Sequence, residues 1–185
     1  YIWRPVKDAL NQYRIERTNY TKKYSQMIAK LDLPKGKIVS GEFNYTFGNA
    51  NGDFGKAELL GAMLHTGNTS NLRKLLLGRG WAALNEDGSI NTTAWDTFVA
   101  RMINEGVLTK EDYTFLQEVW DLNEQMKPLI QKAHNDVYGY YFKEVEATPT
   151  VNRYGSFRGG YVPAKTDPFL VSETEIKAKL EDLRS

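Results

Sequence analysis

Arg153, Tyr154, Phe157, Arg158 and Tyr161 interleave cations with aromatic rings, the residue types that hold phosphates and stack bases along a single nucleic-acid strand. Arg153, Tyr154, Phe157 and Arg158 are therefore the candidate nucleic-acid contacts. Rings packed on helices, with arginine stems running out to water, produce the same pattern. Glu144 and Glu146 alternate and would share one face of a strand, the minimum for a two-carboxylate hydrolase and equally the make-up of a solvated edge. Gly78-Arg79-Gly80-Trp81-Ala82-Ala83 has the G-x-G-x-x-A spacing of a dinucleotide turn,. That motif needs a strand before it and a helix after it. Here the helical stretch Leu72 to Leu77 precedes it and polar turn residues follow, so the glycines read as a helix stop.

Asn85, Asp87 and Gly88 echo the middle of a calcium loop, but Ala83 and Ala94 stand where the outer oxygen ligands belong,. His65 and His134 lack a second His or a carboxylate one turn away in the order a zinc helix requires. Cys is 0, which excludes disulfides and thiolate metal sites. No serine elbow and no phosphate loop of the Walker type occurs. These readings imply no catalytic residue, no metal and no cofactor. Asn19, Asn44, Asn68 and Asn91 head Asn-x-Ser/Thr triplets, which matter only in a secreted eukaryotic protein.

The elements that must position such residues are mostly helices. From Trp3 to about Leu31, Val6, Leu10, Tyr13, Tyr20, Tyr24, Met27 and Leu31 fall at three- and four-residue steps, which predicts one long amphipathic helix. Its stripe lapses at Glu16 and Arg17, as in a helix that reaches past the core or exchanges one packing partner for another. Pro34-Lys35-Gly36 ends it, and Lys37 to Ser40 with Glu42 to Phe47 make a small ribbon or an ordered loop. Gly55 to His65 reads as a buried helix stopped by Gly67. Asn68 and Ser70 offer capping oxygens ahead of the helix Leu72 to Leu77.

Ala82 to Asn91 reads as a polar connection. Thr93 with Asp96 then opens a helix striped by Trp95, Phe98, Val99, Met102 and Ile103 and closed by Gly106. Thr109 with Asp112 opens the next, whose stripe runs from Leu116 through Trp120 to Val137; Pro128 should bend it, and Gly139 ends it. Its short lead-in makes it an antiparallel neighbour. Tyr140 to Val145 can be a strand, and three prolines with three glycines make the rest, to Val171, an extended ordered segment. Ser172 with Glu175 opens a polar terminal helix carrying Ile176, Leu180 and Leu183.

The expected fold is thus mainly α: an antiparallel helical bundle with a long N-terminal helix, an extended Gly/Pro-rich C-terminal arm and room for a short β ribbon. Residues 1–34 form the long helix, 35–139 the helical core, 140–171 the arm and 172–185 the last helix, all in one domain. A chain of 185 residues can build a core without staples,. Lys+Arg 24 against Asp+Glu 23 leaves a net charge of +1, which argues against a mainly electrostatic nucleic-acid binder. No apolar run is long enough to span a bilayer. The start at Tyr1 instead of Met suggests a piece of something longer.

Four segments carry a resemblance: Leu59 to Asn71 (LLGAMLHTGNTSN), Tyr113 to Leu122 (YTFLQEVWDL), Val145 to Thr148 (VEAT) and Gly155 to Asp167 (GSFRGGYVPAKTD). Over about residues 55 to 171 the chain resembles a helical region inside the very large polyvalent proteins of tailed bacteriophages and prophages, multidomain chains thought to enter the host with the DNA. The matching positions are Gly67, Asn68, Asn71, Gln117, Trp120, Asp121, Glu146, Gly159, Gly160, Tyr161, Pro163 and Asp167. The resemblance implies a non-catalytic structural or interaction domain of a virion-associated or ejected protein, located in the virion or the host bacterial cytoplasm. Its partners would be other domains of the parent chain or other phage proteins. The alternative is a nucleic-acid-contacting module of a phage DNA- or RNA-handling polyprotein. Physically, the glycines permit close backbone approach, Asn68 and Asn71 can satisfy helix-end donors, and Trp120 is a core anchor. Gln117 and Asp121, one turn apart, can bond the backbone of the Gly-rich segment and clamp it to the helices.

Overall fold

In the computed structural model, which describes residues 3–31, 33, 37–39 and 54–163, the chain is mainly helical. Helix α1 (Trp3–Ile28) is followed by strands β1 (Lys37–Val39) and β2 (Phe54–Gly55), which pair antiparallel with a register shift. Glu42 to Phe47, Asp167 and the terminal helix expected from Ser172 lie outside the described residues.

Helix α2 (Lys56–His65) and helix α3 (Thr69–Gly78) meet at a corner where Asn68 caps α3, its side-chain oxygen accepting the Asn71 N–H at 2.9 Å. That cap moves the start of α3 three residues ahead of Leu72 and places Ser70 inside the helix. Gly80, at φ 67°, follows the Arg79 C-cap of α3, so Gly78 and Gly80 end a helix and make no dinucleotide turn. Where the sequence suggests only a polar connection, β3 (Ala83–Leu84) pairs with β4 (Ile90–Asn91). The Asp87 carboxylate accepts from the Ser89 N–H and hydroxyl and closes the turn between them, which is the role of the Asn85-Asp87-Gly88 triplet.

Helix α4 (Thr93–Asn104) begins one residue earlier in its cap than the capping-box pattern suggests. Thr92 is the N-cap and its hydroxyl bonds Asp96, while the Asn91 side chain takes the Thr93 N–H. Helix α5 (Lys110–Tyr138) has the expected reciprocal box between Thr109 and Asp112, continues through Pro128 and ends at Gly139 with φ 79°.

Beyond Gly139 the strand expected over Tyr140 to Val145 is absent. The Gln131 amide both donates to the Phe142 carbonyl and accepts its N–H, each at 2.9 Å, so a side chain satisfies the backbone groups that a partner strand would have taken. The strands lie further on: β5 (Thr150–Asn152) and β6 (Gly155–Phe157) form an antiparallel hairpin. Asn152 nucleates its turn by accepting the Tyr154 N–H at 2.8 Å, and Gly155 sits at φ 139°,.

The core is built from α2 to α5 and Phe157. Leu59, Leu76, Met102, Leu108 and Leu116 are fully buried, and Trp81 stacks on Trp95 with ring centroids 5.5 Å apart. Tyr24 and Met27 in the last turns of α1, and Leu31 just after it, pack against it. Two charges are buried with it: Lys56 Nζ lies 2.9 Å from Asp112 Oδ2, both side chains under one-tenth exposed. No helix among the described residues is long and apolar enough to cross a membrane.

Candidate functional site

The corner between α2 and α3 takes hold of the irregular chain that follows α5. The Gly67 carbonyl accepts two backbone N–H groups, from Thr148 at 2.9 Å and Gly160 at 2.7 Å. Next to it, Asn68 pairs with Ala147 as a lone antiparallel bridge, and the Thr69 N–H donates to the Glu146 carbonyl at 3.0 Å. Two separate stretches of chain thus converge on one turn.

Such convergence requires the absence of side chains. A Cβ on Gly67 would lie 2.4 Å from Trp120, and one on Gly160 2.7 Å from the Trp120 Cβ. Gly159, at φ 74°, would place its Cβ 2.5 Å from the carbonyl oxygens of both Gly67 and Thr148. Trp120 is buried between these glycines, and its indole N–H donates to the Leu64 carbonyl at 3.0 Å. The indole therefore fills the space that Gly67 and Gly160 leave and fixes the end of α2, while Gly159 lets the backbone close on the Gly67 and Thr148 carbonyls.

Amide side chains take three carbonyls and one N–H of the 158–162 segment, groups that a neighbouring strand would otherwise pair,. Asn68 is fully buried and donates to the Gly160 carbonyl at 3.3 Å; Asn71 donates to the Val162 carbonyl at 2.7 Å. Asn123 donates to the Tyr161 carbonyl at 2.9 Å while its oxygen accepts the Tyr24 hydroxyl at 2.9 Å. Gln117 accepts the Arg158 N–H at 2.7 Å and donates to Asp121, also at 2.7 Å. Asp121 reaches no backbone of the segment in these bonds; its carboxylate holds the Arg158 guanidinium at 2.7 Å instead.

Gly67, Asn68, Asn71, Gln117, Trp120, Asp121, Gly159 and Gly160 are thus brought to one place. Glu146 and Tyr161 join it through their carbonyl oxygens, with their side chains exposed. Pro163 is exposed just past Val162, and Asp167 is outside the described residues. Asn71 bonds the segment and leaves helix capping to Asn68.

The candidate nucleic-acid residues are placed differently from a stacking platform. Phe157 is buried with its ring centroid 4.9 Å from that of Tyr113. Tyr154 donates its hydroxyl to the Leu108 carbonyl at 3.0 Å. Arg153 lies over the Tyr154 ring, donates to its hydroxyl, and also donates to the Ile103 carbonyl. Arg158 is engaged by Asp121 as described.

The titratable groups read from the sequence separate in space. Glu144 lies on irregular chain, not a strand, and Lys127 at 2.9 Å holds its carboxyl below the usual range. His134 bonds the Tyr140 carbonyl and packs among Tyr138, Tyr140 and Phe142. Burial lowers the His65 pKa, and its ring lies 3.5 Å from the Asn71 amide. Burial pushes the Tyr113 hydroxyl up to about 12, with Asn152 beside it opposing the shift. Among the described residues no group of three or more His, Cys, Asp or Glu is placed to hold a metal ion.

Two participants carried no sequence signal. Asn123 is a polar residue within the apolar stripe of α5, and Lys56 opens α2 as an ordinary surface lysine would; only the folded chain shows what each faces. Neither a family model, nor a curated protein, nor a solved structure matches this chain.

Proposed function

We propose that this chain is a non-catalytic structural and interaction domain of a large multidomain phage protein, carried in the virion or ejected into the host cytoplasm. In this reading its helices form an antiparallel bundle, with residues 140–171 as an arm fastened across it. Its partners are other domains of the parent chain or other phage proteins. One observation supports this above the others. The polar side chains of Asn68, Asn71, Gln117 and Asp121 are directed at one another and at the 158–162 segment, as in the Asn68 and Asn71 amides on Gly160 and Val162, and the Gly67 carbonyl has two backbone donors. Groups engaged in this way fix a segment in place.

The test is retention of the purified domain on immobilised single- and double-stranded DNA over a salt series. The expected result is no retention even at low salt. Binding that weakens steeply with salt, and that vanishes when Arg153 and Arg158 are both replaced by Ala without loss of the fold, would replace this reading with the nucleic-acid module.

A further inference from the structure

Helix α1 carries a seam at alternating three- and four-residue steps, Trp3, Val6, Leu10, Tyr13, Tyr20, Tyr24 and Met27, interrupted by the cation Arg17 and followed by Leu31 just past the helix end. That is a heptad repeat with Trp3, Leu10, Arg17, Tyr24 and Leu31 at a and Val6, Tyr13, Tyr20 and Met27 at d. The fold uses only its later part. Tyr24, Met27 and Leu31 pack on the core, and the Tyr24 hydroxyl meets Asn123 of α5. Trp3, Val6, Leu10 and Tyr13 are exposed, Trp3 by 78%. The seam therefore continues past its partner.

We propose that this exposed half of α1 docks an amphipathic helix of another polypeptide, one with an apolar heptad stripe and acidic residues on the flank that faces Lys7 and Arg14. The positions beside the seam set the chemistry of the partner. Beside the exposed half Lys7 and Arg14 occupy e, while g carries Ala9 and Glu16; Lys23 at g and Lys30 just past the helix flank the covered end. The covered end of the seam already shows the pairing in miniature: Lys30 meets Glu118 of α5 at 3.7 Å.

A second copy of α1 fits poorly. In a parallel pair, g faces the following e of the partner, which sets Ala9 on Arg14, Glu16 on Thr21 and Lys23 on Ile28, with no opposite charges,. An antiparallel pair sets e against e and brings Lys7 and Arg14 onto like charges. A lipid surface fits poorly too, because a helix lying in a membrane presents a broad apolar face, and this is the narrow a/d stripe of a coiled coil.

This assignment rests on the interaction-domain reading and names its partner's chemistry. Its test uses the whole domain and a three-heptad probe peptide with Leu at a and d and Glu at e and g, beside a counterpart with Lys at e and g. Trp3 is the built-in reporter, because Trp81, Trp95 and Trp120 are all buried. The Glu peptide should shield the acrylamide-quenchable fluorescence, and the Lys peptide should bind at least ~10-fold more weakly. Leu10→Glu with Tyr13→Glu should abolish the shielding at unchanged Tm, since both side chains are exposed and outside the core. Equal binding of the two peptides overturns the proposal. So does no binding of the Glu peptide, its persistence in the double variant, concentration-dependent dimerisation through the seam, or shielding of Trp3 by anionic vesicles alone. Failure here leaves the wider reading intact, because that reading is decided separately by the DNA series.

Discussion

Replacing Gly67 by Ala isolates the contact on which the candidate site depends. Gly67 is outside the left-handed region, so alanine suffers no backbone penalty and the perturbation is purely steric. Its new methyl would sit 2.4, 2.5 and 2.6 Å from three atoms of the Trp120 indole, more than 1 Å inside ordinary contact distance. The indole cannot swing aside freely, because its N–H is bonded to Leu64 and its Cβ lies against Gly160. Overpacking of this kind costs about 1–3 kcal/mol, and the strained or lost Trp120 bond to Leu64 adds about 1 kcal/mol. A total near 3 kcal/mol corresponds to a fall in Tm of roughly 6–12 °C for a domain of this size. Urea unfolding of Gly67→Ala, Trp120→Phe and the double variant measures it. If the clash is the cause, the smaller ring relieves it and the double variant is more stable than the sum of the two losses predicts. A loss below about 0.5 kcal/mol, or strict additivity, refutes the reasoning.

Lys56→Met leaves Asp112 buried without its cation and should cost about 3 kcal/mol, at the low end for a broken buried pair because Thr109 still bonds the carboxylate,. Adding Asp112→Asn should recover part of that loss in chemical denaturation. Gln117→Ala removes the acceptor of the Arg158 N–H and should cost about 1 kcal/mol. Asp121→Ala should cost less, about 0.5 kcal/mol, because its ion pair with Arg158 is well exposed,; an unchanged melting temperature in both variants would remove the clamp from the account. The Tyr113 hydroxyl, held at about 12 against an ordinary 10.0, binds its proton more tightly in the folded state. Its stability contribution is therefore complete below pH 10 and is lost as pH rises toward 12, up to about 2 kcal/mol. Tyr113→Phe should flatten that part of the pH–stability curve, and an unchanged alkaline slope would contradict the assignment.

The helices were legible because each combines a period with a cap: the stripe of α4, the Thr109/Asp112 box of α5, and glycines just past their ends. Boundaries moved where two residues competed for one cap, as with Asn68 against Ser70 and Thr92 against Thr93. The two hairpins were not legible as such. β3, β4, β5 and β6 hold two or three residues each, too few for an alternation, and their turns depend on Asp87 and Asn152 bonding locally. The false strand at Tyr140 to Val145 had the aromatic composition of a strand, but strand propensity reflects a pleated neighbour, and Gln131 took the neighbour's place. Within the candidate site, the glycines and short amides were visible as types. What each touched depended on contacts across 38 to 92 residues of sequence, which no local pattern encodes.

Asn123 joins α1 to the clasped segment. Its oxygen takes the Tyr24 hydroxyl of α1, and its nitrogen holds the Tyr161 carbonyl beyond the glycine pair. A buried amide that loses one of its partners carries the desolvation cost of an unmet group. The end of α1 and the clasped segment therefore stabilise each other through one side chain. Tyr24 is also the residue at which the seam of α1 passes from covered to exposed. A partner helix seated on Trp3 to Tyr13 would extend the packing that begins at Tyr24, and would raise the stability of the clasp without touching it. The reverse holds by linkage: a loosened clasp, as in Gly67→Ala, should weaken docking on a helix face far from the substitution, in proportion to how far Asn123 is displaced.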